Sequence, residues 1–214
     1  MDCHRCNSHC GSGKGTPKSG LFKNWSLGLR NQQQPQIPDE LTVADAQIAL
    51  VGMPNVGKSV LFHALTGIYA TVSNYPGTTV EVSRGVMRLG EQTVTVIDTP
   101  GMYSLLPISE EEAVSKTLLL THDFASIIHV VDGKNLGRML PLTLQLLELD
   151  LPLILAINMM DEARRLGLAL HPEILSQQLQ IPVILMAAGL NQGIQELKQT
   201  LQQQIPAPPL PLLV

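Results

Sequence analysis

The stretch from Ile48 to Ser59, IALVGMPNVGKS, constrains this chain more than any other. Apolar residues run into a glycine-containing turn, and an amphipathic segment with Val60, Leu61, Ala64 and Leu65 follows. The turn fits G-x-x-x-x-G-K-[ST], with Gly52, Gly57, Lys58 and Ser59 in the fixed positions. The spacing has a physical cause. Glycines let the backbone curl closely around phosphate oxygens, so that successive N–H groups point inward. Pro54, Asn55 and Val56 span the curl, and Val60 lies in the helix opening behind it. That helix adds its unpaired N–H groups and the positive end of its dipole. Lys58 then reaches the phosphates, and the Ser59 hydroxyl is placed to hold a magnesium ion.

The rest of the chain reads as strands alternating with helices. Strand 47–52 enters the loop, and helix 57–66 leaves it with Gly67 as its C-cap. Residues 68–79, IYATVSNYPGTT, are polar and turn-prone, which predicts a mobile loop. Residues 80–88 and 92–97 alternate valine with polar residues and predict a hairpin around Leu89-Gly90-Glu91, with Ser83-Arg84-Gly85 interrupting its first strand. Pro107 or Ser109 opens the next helix, and Glu110, Glu111 and Glu112 suit its first turn, as capping rather than a metal site. The apolar runs 126–131 and 152–157 predict buried strands on either side of a helix at 138–149. His129, inside the first run, reads as a core histidine. A helix at 172–179, a strand at 182–186 and a helix at 191–204 complete the body. The expected fold class is α/β, a mostly parallel six-stranded sheet with helices on both faces. Ligand groups then gather at the carboxyl ends of the strands.

Composition narrows the function classes. An apolar content of 44% with 3% aromatics describes a globular chain with an aliphatic core. A net charge of −4 argues against nucleic acid as a partner, because phosphate neutralisation needs a basic surface. No apolar run approaches the ~18 residues of a membrane span, and the polar N-terminus lacks a secretory core. All three cysteines fall within the first ten residues, so the body suits a reducing cytosol. The expected location is cytoplasmic, with peripheral attachment at the inner face of the plasma membrane as an option.

Residues 1–45 read as a flexible tail and linker, and 205–214, ending PAPPLPLLV, as a proline-rich C-terminal tail. Cys3 and Cys6 have C-x-x-C spacing, and Cys10, His4 and His9 lie nearby. They are candidate ligands of a zinc or iron–sulfur knuckle, against a plainer reading as reduced thiols, since no second knuckle follows. Phe22, Trp25, Leu27 and Leu29 form an apolar patch ahead of the linker QQQPQIPDE.

Further features fall into place around the phosphate loop. Asp98 ends a strand, where it can hold magnesium through water opposite Ser59. Gly101 of Asp98-Thr99-Pro100-Gly101 then offers a backbone N–H to a γ-phosphate, although the tetrapeptide is also good turn chemistry. Thr79 is a second hydroxyl for magnesium, with Thr78 its near competitor. Asn158-Met159-Met160-Asp161 has the Asn-x-x-Asp form. A carboxylate accepts both N–H donors of guanine's edge, and adenine presents the wrong pattern. Asp161 would serve equally as a helix N-cap. Met186, Ala187 and Ala188 are placed to close over the base through backbone N–H groups.

Gly52–Ser59, Thr79, Asp98–Gly101 and Asn158–Asp161 together resemble the motif set of translation-factor-class GTPases. More narrowly, residues 46–204 resemble the cytosolic G domain of the FeoB family of prokaryotic ferrous iron transporters. GMPNVGKSVLFHALTG, SNYPGTTVE, DTPGMYSL and VVDGKNLGRMLPLTLQLLELDLPLILAINMMDEA carry the likeness. Ribosome-assembly relatives usually show Asn-Lys-x-Asp, whereas Met159 fills the lysine position here.

The resemblance implies a P-loop GTPase fold, GTP and GDP as ligands, and magnesium held by Ser59, Thr79 and Asp98. It implies phosphate contacts from Gly52–Val60, with Lys58, Thr79 and Gly101 acting on the reaction, and base contacts from Asn158, Met159, Asp161, Ala187 and Ala188. Asn55 matches a position that helps hold a potassium ion in potassium-activated members. Met102 stands where Ras-type proteins have a water-orienting glutamine, which implies slow turnover. Ala187-Ala188 replaces the commoner Ser-Ala, which implies modest affinity and fast exchange. The output implied is control of a separate membrane permease, and a homo-oligomer is compatible with it. Two rival readings are a ribosome- or RNA-associated GTPase and a metal-binding regulatory module with a degenerate G domain.

Overall fold

The computed structural model describes residues 46–67 and 70–205. The tail, its cysteines Cys3, Cys6 and Cys10, the aromatic patch, the linker and the stretch 206–214 all lie outside the described residues.

β1 (Ala46–Val51) is the strand that enters the phosphate loop, and it lies at the centre of the sheet, flanked by parallel strands on both sides. Its side chains serve two cores. Ile48 and Leu50 face one apolar cluster, Ala49 and Val51 the other, and all four are fully buried. A strand covered on both faces has no polar side, hence its unbroken apolar run. α1 (Lys58–Thr66) follows, then β2 (Ala70–Asn74), β3 (Glu81–Leu89), β4 (Gln92–Asp98), α2 (Glu110–Thr121), β5 (Ser126–Asp132), α3 (Leu136–Leu147), β6 (Leu153–Asn158), α4 (Met160–Arg165), α5 (Pro172–Leu179), β7 (Val183–Leu185) and α6 (Ile194–Gln204). The strand order is β2-β3-β4-β1-β5-β6-β7. The five strands from β4 to β7 in that order are parallel, and β2 and β3 extend the sheet as an antiparallel edge.

The sheet therefore has seven strands rather than the expected six. The extra one is β2, inside the segment read as a mobile loop. Thr71 and Ser73 are polar, and the strand pairs on one side only, with β3. An edge strand of that kind has almost no apolar signature. α4, with six residues, is too short to leave a periodic signal in the sequence. Elsewhere the elements fall within a few residues of expectation.

Two contacts explain local sequence. Gly85 breaks the valine alternation of β3 because a Cβ there would stand 2.8 Å from Thr66 Cγ2 and 2.9 Å from Phe62 Cζ, both on α1. The glycine is the space into which α1 packs. At α2, Ser109 is the N-cap and closes a capping box with Glu112. The acidic run is not uniform: Glu110 and Glu111 are exposed, whereas Glu112 is buried and its carboxylate accepts from the N–H groups of Tyr103, Ile108 and Ser109. Those bonds hold Glu112 below the usual carboxylate range, the bonds from Ile108 and Tyr103 acting most strongly. They also fix the loop from Met102 to Ser109 to the first turn of α2. Among the described residues, no helix is long and apolar enough to cross a membrane.

Candidate nucleotide site

The loops after β1, β4, β5, β6 and β7 meet at one end of the sheet. The phosphate loop is the tightest of them. A Cβ on Gly52 would stand 2.3 Å from the carbonyl oxygen of Val130 on β5, so only glycine fits. Gly57 caps α1 with φ +89°, and a Cβ there would stand 2.4 Å from Nδ2 of Asn158. That space lets Asn158 donate from Nδ2 to Val56 O at 3.0 Å. Its Oδ1 accepts from the N–H of Ala188 at 2.9 Å. One buried amide side chain thus joins the loop after β1 to the loop after β7. Pro54 and Asn55 stand exposed at the crest, Asn55 with φ +64°.

Lys58 is buried, with its Nζ donating to Gly52 O at 3.2 Å and Met53 O at 3.1 Å. Those bonds engage two of the three donors of an ammonium group. Burial pushes the Lys58 pKa down, and the nearby Asp98 carboxylate opposes that. Ser59 donates from Oγ to Asp98 Oδ2 at 2.9 Å. Asp98 Oδ1 is buried without a hydrogen-bond partner among the described residues. Burial raises the Asp98 pKa, partly offset by the Ser59 bond and by Lys58 and His63. A buried carboxylate oxygen with no donor, beside a serine hydroxyl, is the donor set of a hard divalent cation.

The segment after β4 is stitched to the phosphate loop. Thr99 donates from its N–H and its hydroxyl to Leu50 O, at 3.2 and 2.8 Å, and Met102 N–H donates to Gly52 O at 3.1 Å. Gly101 abuts Pro54 so closely that a Cβ would stand 2.6 Å from its Cγ. Met102 is fully buried, in the cluster with Val114 and Leu118, and faces no solvent. The two threonines differ: Thr78 donates from its hydroxyl to Tyr75 O at 2.9 Å and accepts from Val80 N–H at 3.2 Å, whereas Thr79 is exposed.

On the other side, Asp161 stands half-buried in the first turn of α4, whose N-cap, Met159, has φ +60°. The N–H groups of Met186, Ala187 and Ala188 differ from expectation. They are engaged by Ile157 O, Gln192 O and Asn158 Oδ1, so they hold the loop in shape instead of standing open. Asp132, Lys134 and Glu162 belong to none of the candidate binding motifs of the sequence. Asp132 is buried and accepts from Lys134 N–H and Asn135 Nδ2, each at 2.9 Å, closing a 3-10 turn over Gly133–Asn135. Asp-Gly directly after an apolar run was the available signal for that turn.

The family model described as Ferrous iron transport protein B matches residues 46–201. The chain belongs to the FeoB family. The Fe(2+) transporter FeoB of Shigella flexneri is 41% identical over 155 residues, 71% of this chain and 20% of that protein. Its Staphylococcus aureus counterpart is 40% identical over 148 residues, 69% of this chain and 22% of that one. The chain thus spans about a fifth of the length of these curated FeoB relatives. Among solved structures, the G domain of the Thermotoga maritima FeoB iron transporter is similar with TM-score 0.69 and 37% identity, covering 74% of this chain and 98% of that one. The cytosolic domain of Legionella pneumophila FeoB is similar with TM-score 0.70 and 40% identity, covering 72% and 68% respectively. The seven-stranded sheet described above is the fold of FeoB G domains.

Proposed function

We propose that residues 46–204 form a FeoB-type G domain that binds GTP and hydrolyses it to GDP and phosphate. The observation that supports this is the pair of hydrogen bonds made by Asn158, donated from Nδ2 to Val56 O and accepted by Oδ1 from Ala188 N–H, which holds the loop after β1 and the loop after β7 at one spacing. A site so wired suits a ligand with a phosphate tail at one end and a purine at the other.

The roles follow from chemistry. Backbone N–H groups between Gly52 and Val60, Pro54 excepted, and the remaining donor of Lys58 take up phosphate charge. Ser59, Asp98 and Thr79 would hold magnesium; the partnerless Oδ1 of Asp98 fits that ion, and the exposed Thr79 hydroxyl suits it better than the internally bonded Thr78. When bound, the ion neutralises charge on the β- and γ-phosphates. Asn55, an exposed amide oxygen at the crest, offers the hard donor that a potassium ion takes. Gly101 N–H and Thr79 border the γ-phosphate position. Met102, sealed in the core, cannot orient the attacking water, so intrinsic turnover is slow. Asp161 reads the guanine edge, while Met159, Ala187 and Ala188 wall the base. The downstream reading is regulation of a membrane permease of ferrous iron, with homo-oligomerisation compatible with it.

Asp161→Asn tests the base assignment. Asparagine turns one acceptor into a donor, matching xanthine instead of guanine. Calorimetry of the variant should show a preference moved from GTP toward xanthosine triphosphate by about a hundredfold or more. An unmoved preference discards the reading.

A further inference from the structure

The carboxylate assigned to guanine stands on weak ground. α4 has six residues, too few for a helix that holds itself together in water. Its N-cap is Met159, in the left-handed region with no side-chain acceptor to offer the first turn. On the inner side the turn is tied by Met160 N–H to Met186 O at 3.1 Å and by the burial of Met160 and Ala163. On the solvent side the tie is different: Lys134, from the 3-10 turn after β5, pairs through Nζ with the carboxylate of Glu162, the residue after Asp161.

The platform under Lys134 is firm. Asp132 anchors the turn through Lys134 N–H and Asn135 Nδ2, and its Oδ2 lies 3.9 Å from the Lys134 ammonium. Gly133 presses against the base-side loop, where a Cβ would stand 2.9 Å from Met160 Sδ and 3.2 Å from Asn158 O. The hydrogen bond to Glu162 and the carboxylates of Asp132, Glu162 and Asp161 all raise the Lys134 pKa. The ammonium is charged at neutral pH and lies within electrostatic reach of Asp161.

We propose that Lys134 is a positioning residue for base selection: by pairing with Glu162 it fixes the first turn of α4 to the turn after β5, and so sets where the Asp161 carboxylate meets the purine edge. The proposal rests on the reading of Asp161 as the guanine acceptor. An exposed ion pair contributes little to global stability, so its effect falls on geometry. A carboxylate accepting two N–H donors in parallel is sensitive to such a shift, and the second donor, the 2-amino group, is the one that separates guanine from hypoxanthine.

The experiment is calorimetry of GDP and inosine diphosphate on the full chain, with thermal unfolding run in parallel. Lys134→Met and Glu162→Gln should each lower the GDP-to-inosine-diphosphate affinity ratio by about fivefold, corresponding to about 1 kcal/mol. The double variant should lower it no further, because both changes break one pair. Lys134→Arg, which keeps the pair, should restore it. The unfolding midpoint should stay put in Glu162→Gln, which sits exposed and keeps the test open if Lys134→Met folds poorly. A ratio unmoved in both single variants overturns the proposal. So does a drop in Lys134→Met alone, since the ammonium would then act without its partner. These failures are distinguishable from failure of the base reading. If Asp161→Asn still turns the chain toward xanthosine nucleotides, only the role of Lys134 is lost.

Discussion

The two loops that flank the proposed phosphate site are built in opposite ways. The loop from Gly52 to Ser59 is fixed from within: Lys58 is buried on the loop's own carbonyls, Val56 O is held by Asn158, and neither Gly52 nor Gly57 has room for a side chain. The loop from Met102 to Ser109 is fixed from without. The side chains of Leu106 and Ile108 stand exposed, 74% and 97% accessible, and the Glu112 carboxylate accepts from Tyr103 N–H near one end and Ile108 N–H near the other. The first loop cannot move without breaking the sheet's packing. The second loses three of its backbone ties with one side chain, Glu112, and keeps those of Met102 N–H to Gly52 O and Leu105 N–H to Gln145 Oε1. A switch needs both kinds: an invariant grip on the phosphates, and a flanking segment whose order responds to them.

The largest effect should come from breaking the fixed side. Lys58→Ala removes the ammonium of the cup and its bonds to Met53 O and Gly52 O, of which Gly52 O keeps the N–H of Met102. Affinity for GTP should fall by about a hundredfold or more, from lost charge-assisted contacts. Titration calorimetry would show it; wild-type affinity in the variant would dissolve the contrast between the two loops.

The tethered side should break differently. Glu112→Ala removes acceptors from three backbone N–H groups and opens the capping box of α2. Stability should fall by about 1–2 kcal/mol in denaturant unfolding, the upper half of the scale for a lost cap. Hydrogen exchange at residues 102–109 should accelerate, while GDP affinity changes little. An equal loss of GDP affinity would mean that the two loops are one unit.

The same contrast decides what could be read from the sequence. The fixed loop was legible because its geometry admits so few residues: each glycine there marks a place where backbone or amide comes too close for a Cβ. The buried strands β1, β5 and β6 were legible because they are apolar on both faces. β2 was not, because an edge strand's hydrogen bonds belong to the backbone and leave no mark on Thr71 or Ser73. The difference between Thr78 and Thr79 was equally hidden, since it lies in which hydroxyl the turn consumes. The distinct role of Glu112 among three glutamates, and the pairing of Lys134 with Glu162 across 28 positions, needed the fold to bring the partners together.

The smallest expected effect lies beneath the fixed loop. His129 on β5 is wholly buried, shares a 3.0 Å hydrogen bond through Nδ1 with Thr143 on α3, and has Nε2 without a hydrogen-bond partner among the described residues. Burial, with a smaller contribution from the charge on Lys58, pushes its pKa down to about 3. The folded state therefore keeps His129 neutral where the unfolded chain, with a pKa near 6.5, takes up a proton. The native advantage is complete above pH 6.5 and is lost as pH falls from there toward 3. His122, also held low by burial, adds in the same direction. The unfolding midpoint should decline steadily between pH 7 and pH 5, and His129→Gln, although less stable at neutral pH, should decline less steeply across that window. Parallel slopes would mean that the histidine under the phosphate loop takes up its proton in the folded state, and that the grip is less rigidly founded than its packing indicates.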